Sequence, residues 1–152
     1  MRFWRICRQP YALDAATGEG ARLYGGRWNS RGIRVVYAST SLALATVETF
    51  VNLEPKLRPA DFVSIEGVIP ATLEVGRLDI KTLPFGWYGT RDESLRNFGD
   101  SWIRSAKTVA LLVPSAAIRG EWNLLLNPGH SGFSKIRFES PKPFGFDLRM
   151  FP

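Results

Sequence analysis

Apolar and polar positions alternate with a period of two along several stretches of the chain and recur at helical spacing along two, which predicts strands with a few helices between them. Phe3-Trp4-Arg5-Ile6-Cys7 alternates weakly and predicts a first strand, ended by Gln9-Pro10. Residues 14–26 are small and glycine-rich and predict a loop. Arg34-Val35-Val36-Tyr37-Ala38-Ser39 has the β-branched and aromatic content of a strand. A helix is predicted over residues 41–53, capped by Ser39, Thr40 or Ser41 and closed by Pro55. Residues 61–70 alternate as a strand with one wet side. Residues 71–90 read as short turns and extended pieces around Pro84, Gly86 and Gly89, with Trp87 and Tyr88 forming a rim or lid.

Leu95, Phe98, Trp102 and Ile103 fall at helical spacing and predict a second helix over residues 92–106, despite Gly99. Thr108 to Val113 is the most apolar run and predicts a central strand, ended by Pro114-Ser115. Residues 122–130 read as a loop leading into Asn127-Pro128-Gly129-His130. Residues 134–139 alternate as a strand, and residues 144–148 as a last strand or tail. Strands with two inserted helices predict a single α+β domain over residues 1–152, built on a mixed β-sheet core.

Composition narrows the classes. A chain of 152 residues suits one domain, and 45% hydrophobic residues with 12% aromatics suffice for a full core. No apolar run is long enough to cross a bilayer. Met1 to Arg8 carries charge where a signal peptide needs an unbroken apolar stretch, so a cytoplasmic location is expected. Cys7 is the only cysteine and His130 the only histidine, which argues against an internal disulfide, a thiolate cluster and a zinc site; no metal is expected. The net charge of +6 fits nucleic acid, an acidic protein or a phosphorylated small molecule. The arginines form no stripe and no nucleic-acid-binding signature is present, so direct nucleic-acid binding is disfavoured.

The candidate chemistry gathers in residues 25–50, a glycine turn, a strand and a helix. Arg27 directly follows two glycines. Tyr37 lies near the end of the strand. Glu48 falls at the edge of an apolar helical face of Leu44, Val47 and Val51, where a carboxylate is partly withdrawn from water and needs a cation or donor. Arg27 is the candidate cation. The structural alternatives are an Arg27–Glu48 ion pair and a core tyrosine with a satisfied hydroxyl. Neither a Walker-type phosphate loop nor a Gly-x-Gly-x-x-Gly turn is present.

Gly25-Gly26-Arg27-Trp28-Asn29, then Val36-Tyr37-Ala38-Ser39, Glu48, Val113-Pro114-Ser115 and Asn127-Pro128-Gly129-His130 together resemble the RES domain family, named for an Arg, a Glu and a Ser that Arg27, Glu48 and Ser115 match. The resemblance runs from Arg5 to Phe138; Gly129 to Phe133 departs slightly from the usual pattern. It implies a toxin of a RES–Xre toxin–antitoxin module, a fold similar to ADP-ribosyltransferase toxins, and NAD+ as substrate with no separate cofactor. It further implies degradation of NAD+ by hydrolysis or phosphorolysis, or ADP-ribosylation of a protein, and an Xre-type helix-turn-helix antitoxin that covers the site. Under the resemblance, Arg27, Tyr37, Glu48 and Ser115 form the catalytic set. Glu48 stabilises the oxocarbenium-like ribose or orients the attacking group; Arg27 meets the pyrophosphate or ribose; Tyr37 borders the nicotinamide; Ser115 bonds the carboxamide or a phosphate. Trp28, Asn29, Ser30, Arg31, Asn127 and His130 complete the substrate-binding set. For Ser115 the alternative is a turn cap, for His130 a structural role in the Asn127-Pro128 turn, and for Trp28 and Asn29 support of Arg27. A non-enzymatic binding module for an acidic protein is the other class left open.

Overall fold

The computed structural model of the chain describes residues 1–53, 61–89 and 93–151. The expected stop at Pro55 and the expected helix start at residue 92 lie outside the described residues.

Among the described residues, eight short, mostly apolar strands form one sheet. They are β1 (Arg2–Arg8), β2 (Val36–Ser39), β3 (Phe62–Val68), β4 (Val75–Arg77), β5 (Ala110–Pro114), β6 (Trp122–Leu126), β7 (Arg137–Phe138) and β8 (Lys142–Phe144). The order is β4-β5-β6-β2-β1-β3-β7, with β8 on the other half of the β3 edge. All pairs are antiparallel except β4 with β5, so the sheet is mixed and the α+β expectation holds. The apolar run expected at the centre is β5, one strand in from the β4 edge; β2 takes the middle.

Residues 122–126, read as part of a loop, form β6, clamped between β2 and β5. Leu124, Leu125 and Leu126 have no exposure. A strand buried on both faces shows no alternation, so periodicity cannot find it. Of the helices, α2 (Leu42–Phe50) and α3 (Glu93–Ser105) match the sequence expectation, but α1 (Glu19–Tyr24) lies inside the stretch read as a loop. Its glycines punctuate the ends: Gly18 and Gly25 take φ of 70° and 72°. Glu19 and Arg22 pair across one turn, and the hydrogen bonds from Arg22 hold the Glu19 carboxyl below the usual range.

The core divides by face. Phe3, Val36, Ala38, Leu124 and Leu126 pack on one side of the sheet. Leu111, Val113 and Leu125 pack on the other, against Trp28 and the Leu95 and Trp102 of α3. Ile6 and Phe62 meet Ala45 of α2 and Phe146 of the C-terminal segment. One seam interrupts this sheet. β1 is in register with β3 along its length, yet meets β2 only at Trp4 opposite Ser39. The site lies along that seam.

Candidate active site

Ser41 accepts a hydrogen bond from the Leu44 amide at 3.1 Å and starts α2 directly after β2. Leu44 and Ala45 are the buried positions of α2, and Glu48 lies one turn beyond Leu44 on the same side. This corrects the expected apolar face: Val51 is 57% exposed and lines the mouth of a cavity.

Glu48 is met by neutral donors. Its Oε1 accepts from Ser115 Oγ at 2.6 Å and from Asn123 Nδ2 at 2.5 Å. Among the described residues it forms no ion pair, so the expected Arg27–Glu48 pair is not made. The pairing of β5 with β6 explains why: Val113 opposite Asn123 and Pro114 opposite Trp122 bring Ser115 and Asn123 to one strand end, directly under α2. Asn123 is held in turn by Ser39 Oγ, which donates to its Oδ1 at 2.7 Å from the register partner on β2. Ser115 is buried and also accepts from the Ile118 amide at 2.9 Å, so it caps its turn and orients the carboxylate at once. Two neutral donors satisfy a carboxylate oxygen without cancelling the charge.

Arg27 stands on the loop between α1 and β2. Tyr37 donates its hydroxyl to Asn29 Oδ1 at 2.7 Å and accepts from the Trp28 amide at 3.0 Å. Asn29 is fully buried, and its Nδ2 reaches the carbonyls of Ala21, Ser30 and Ile33 at 2.9–3.0 Å. Gly26 passes so close over Tyr37 that a Cβ there would lie 2.5 Å from the hydroxyl. The loop is thereby fixed, and Arg27 projects from it, donating through Nη1 to the Trp87 carbonyl at 3.0 Å.

These elements enclose a cavity of about 630 Å³, lined among others by Arg5, Arg27, Tyr37, Glu48, Tyr88 and Asn123. A second cavity of about 220 Å³ shares Arg5, Tyr37, Glu48, Asn52 and Asn123 with it. Glu48 therefore stands where a larger and a smaller space meet. Of the expected residues, Arg27, Trp28, Tyr37 and Glu48 line the main cavity, and Ser115 lies behind Glu48. Asn29 lies beneath the loop. Ser30, whose amide donates to Asp100 Oδ1 at 2.9 Å, and exposed Arg31 line neither cavity. Asn127 and His130 sit past the opposite end of β6: Asn127 donates to the Ile103 carbonyl and accepts from the Gly129 amide, and His130 Nδ1 accepts from the Gly132 amide. Asn127 thus ties its turn to α3, and His130 Nδ1 holds the turn that follows it.

Two residues escaped the sequence reading. One is Asn123. The other is Arg5, on β1 at the seam, which donates through Nη1 to the Tyr37 carbonyl at 2.8 Å where a strand amide would otherwise pair. Its Nε is buried with no hydrogen-bond partner, and among the described residues it forms no ion pair. Burial pushes its pKa down from the usual arginine value, an effect partly offset by Cys7. A guanidinium placed there without a counter-charge favours an anion in the cavity. The only sequence signal was an arginine between Trp4 and Ile6 in a strand. Among the described residues no group of three or more His, Cys, Asp and Glu is gathered to hold a metal, and no helix is long and apolar enough to cross a membrane.

The RES domain family profile matches residues 2–147. The chain is 36% identical over 154 residues to the Prs ADP-ribosylating toxin of Sphingobium sp., covering 97% of this chain and 95% of that protein. It is 35% identical over 152 residues to Toxin Res of Photorhabdus laumondii, covering 99% and 97%. Among solved structures, that of the M. tuberculosis MbcT–MbcA toxin–antitoxin complex superposes with a TM-score of 0.70 over 93% of this chain and 82% of that one, at 19% identity. That last likeness is one of fold.

Proposed function

The chain belongs to the RES domain family, and on that premise we propose that it is a bacterial toxin that cleaves the nicotinamide–ribose bond of NAD+. The observation that carries this reading is the carboxylate of Glu48, held by two neutral donors in a cavity that also holds Arg5 and Arg27; of the other carboxylates on its wall, Glu19 is paired with Arg22 and Arg34, and Asp14 is exposed. Nicotinamide leaves NAD+ as a neutral ring from a cationic pyridinium, so no general acid is needed. Glycosidases that expel an alcohol need a second carboxyl for that proton; this site has work for only one.

As the bond breaks, positive charge grows on the ribose carbon and ring oxygen. Glu48 stabilises it through fixed charge. Oε1 is committed to Ser115 and Asn123, and Oε2, which accepts nothing from the described residues, meets the ribose hydroxyls or the attacking group. Arg27 and Arg5 hold the pyrophosphate. Water attacking the ribose carbon gives ADP-ribose, nicotinamide and a proton; inorganic phosphate gives ADP-ribose phosphate and nicotinamide.

A second reading, transfer of ADP-ribose to a protein side chain, is favoured by the likeness to the Prs ADP-ribosylating toxin. The partner we propose is a cognate antitoxin of the Xre helix-turn-helix type that covers the cavity; the likeness to MbcT, solved with MbcA, supports an antitoxin. The test is incubation with labelled NAD+, with and without phosphate and cell extract. Nicotinamide release with ADP-ribose or its phosphate is the expected result, and label on protein selects the transferase. If no nicotinamide appears under any condition, the chain is a binding module and the enzymatic reading is lost.

A further inference from the structure

Segment 84–89 is held to both walls of the main cavity by side chains that the reaction outlined above leaves partly unexplained. From the loop side, Arg27 Nη1 donates to the Trp87 carbonyl at 3.0 Å, and the Trp87 ring lies 6.1 Å from that of Trp28. From the β5–β6 connection, Arg119 places its guanidinium carbon 3.9 Å from the centre of the Tyr88 ring. The Trp87 edge meets Tyr88 at 6.0 Å and 80°. Tyr88 lines the cavity and remains 37% exposed.

We propose that Tyr88, backed by Arg119, is the seat of the adenine ring of the dinucleotide. The proposal rests on the NAD+ reading and adds the place of the half of the molecule that does not react. The scissile bond must lie at Glu48, so the adenosine half extends into the rest of the main cavity. Four aromatic side chains line that space: Tyr24, Trp28, Tyr37 and Tyr88. Trp28 is buried between Trp87 and Phe98, and Tyr37 is tied to the loop beside the reaction centre. Tyr24 is 76% exposed, and among the described residues no ring or cation lies against it, so a ligand would have to order it at an entropic cost. Tyr88 alone is both open to the cavity and fixed in advance, and a fixed ring loses little on binding.

Charge decides which of the two bases it takes. A guanidinium already on one face of the tyrosine repels a second cation and draws on the same ring electrons. The pyridinium of bound NAD+ is cationic, whereas adenine is neutral and stacks on an aromatic face without that penalty.

The experiment uses the full chain carrying Glu48→Gln, so that ligands are not turned over, and measures binding of ADP-ribose and of nicotinamide mononucleotide by calorimetry. Tyr88→Ala should weaken ADP-ribose binding by roughly tenfold, the usual scale for loss of one base-stacking ring. Tyr88→Phe should keep it within about threefold because the ring is retained, and Arg119→Ala should weaken it by about threefold through loss of the backing cation. Nicotinamide mononucleotide should bind equally to all four proteins. An unchanged ADP-ribose affinity in Tyr88→Ala, an equal loss for nicotinamide mononucleotide, or no ADP-ribose binding to a chain that melts normally would each overturn the seat. Nicotinamide release by the unsubstituted chain reports on the NAD+ reading separately. Tyr88-dependent ADP-ribose binding without release keeps the seat and removes the cleavage.

Discussion

Glu48 receives two hydrogen bonds on one oxygen and no counter-ion among the described residues. Removing its charge and removing its neighbours therefore have different effects. Glu48→Gln keeps a carbonyl oxygen for Ser115 and Asn123, so stability should shift by less than about 1 kcal/mol, while nicotinamide release should fall on the order of a hundredfold or more. Kinetics and thermal melting on one preparation check both; an active but strongly destabilised protein would contradict the assignment. Ser115→Ala should do something else. It deprives the carboxylate of a donor and takes the acceptor from the Ile118 amide, a part-buried hydrogen bond worth about 0.5–1.5 kcal/mol. Activity should fall only in part, because Asn123 still holds Oε1. Arg27, Tyr37 and Glu48 were legible because each breaks a local pattern: a cation after two glycines, a hydroxyl within a strand, a carboxylate on a buried helical side. Arg5 and Asn123 break none. Their meaning comes from the gap between β1 and β2 and from the register of β6, which are long-range facts.

At the scale of elements, the loop bearing Arg27 depends on a helix far along the chain. Gly99 in α3 packs on the Trp28 backbone so closely that an added Cβ would lie 1.8 Å from the Trp28 carbonyl oxygen. Gly99→Ala must push α3 and the loop apart. It should destabilise by about 3 kcal/mol, the upper part of the range for overpacked sites, and reduce activity through Arg27. A denaturant titration with a parallel assay tests this; a stable, fully active variant would show that the loop is not positioned by α3. In the sequence Gly99 reads only as a flaw in a helical pattern, because propensity records what a glycine costs its own helix and not what it admits from outside. The same limit hid β6 and α1. Three consecutive buried leucines carry no period, and the glycines of residues 14–26 signalled turns correctly while the helix between them was too short to show one. The strands with one wet face and the two longer helices were legible because burial on one side writes itself into the pattern.

For the whole molecule, the strand order has a mechanical meaning. β1 with β3, β7 and β8 makes one leaf; β2 with β6, β5 and β4 makes the other. A single residue pair, Trp4 with Ser39, stitches them along the sheet, helped by the guanidinium of Arg5 on the Tyr37 carbonyl. A ligand lying across the cavity would touch Arg5 on one leaf and Arg27 on the other, and so act as the spine of a book. Amide hydrogen exchange should then slow on ADP-ribose binding in residues 2–8 and 36–39 together, and hardly change in the interior of β5 and β6, where the pairing is already complete on both sides. Slowing confined to the loop around Arg27 would mean that the leaves do not share the ligand. If they do share it, the cohesion of the fold rises and falls with the occupancy of the cleft, and a protein starved of its ligand opens first along the line where its chemistry is done.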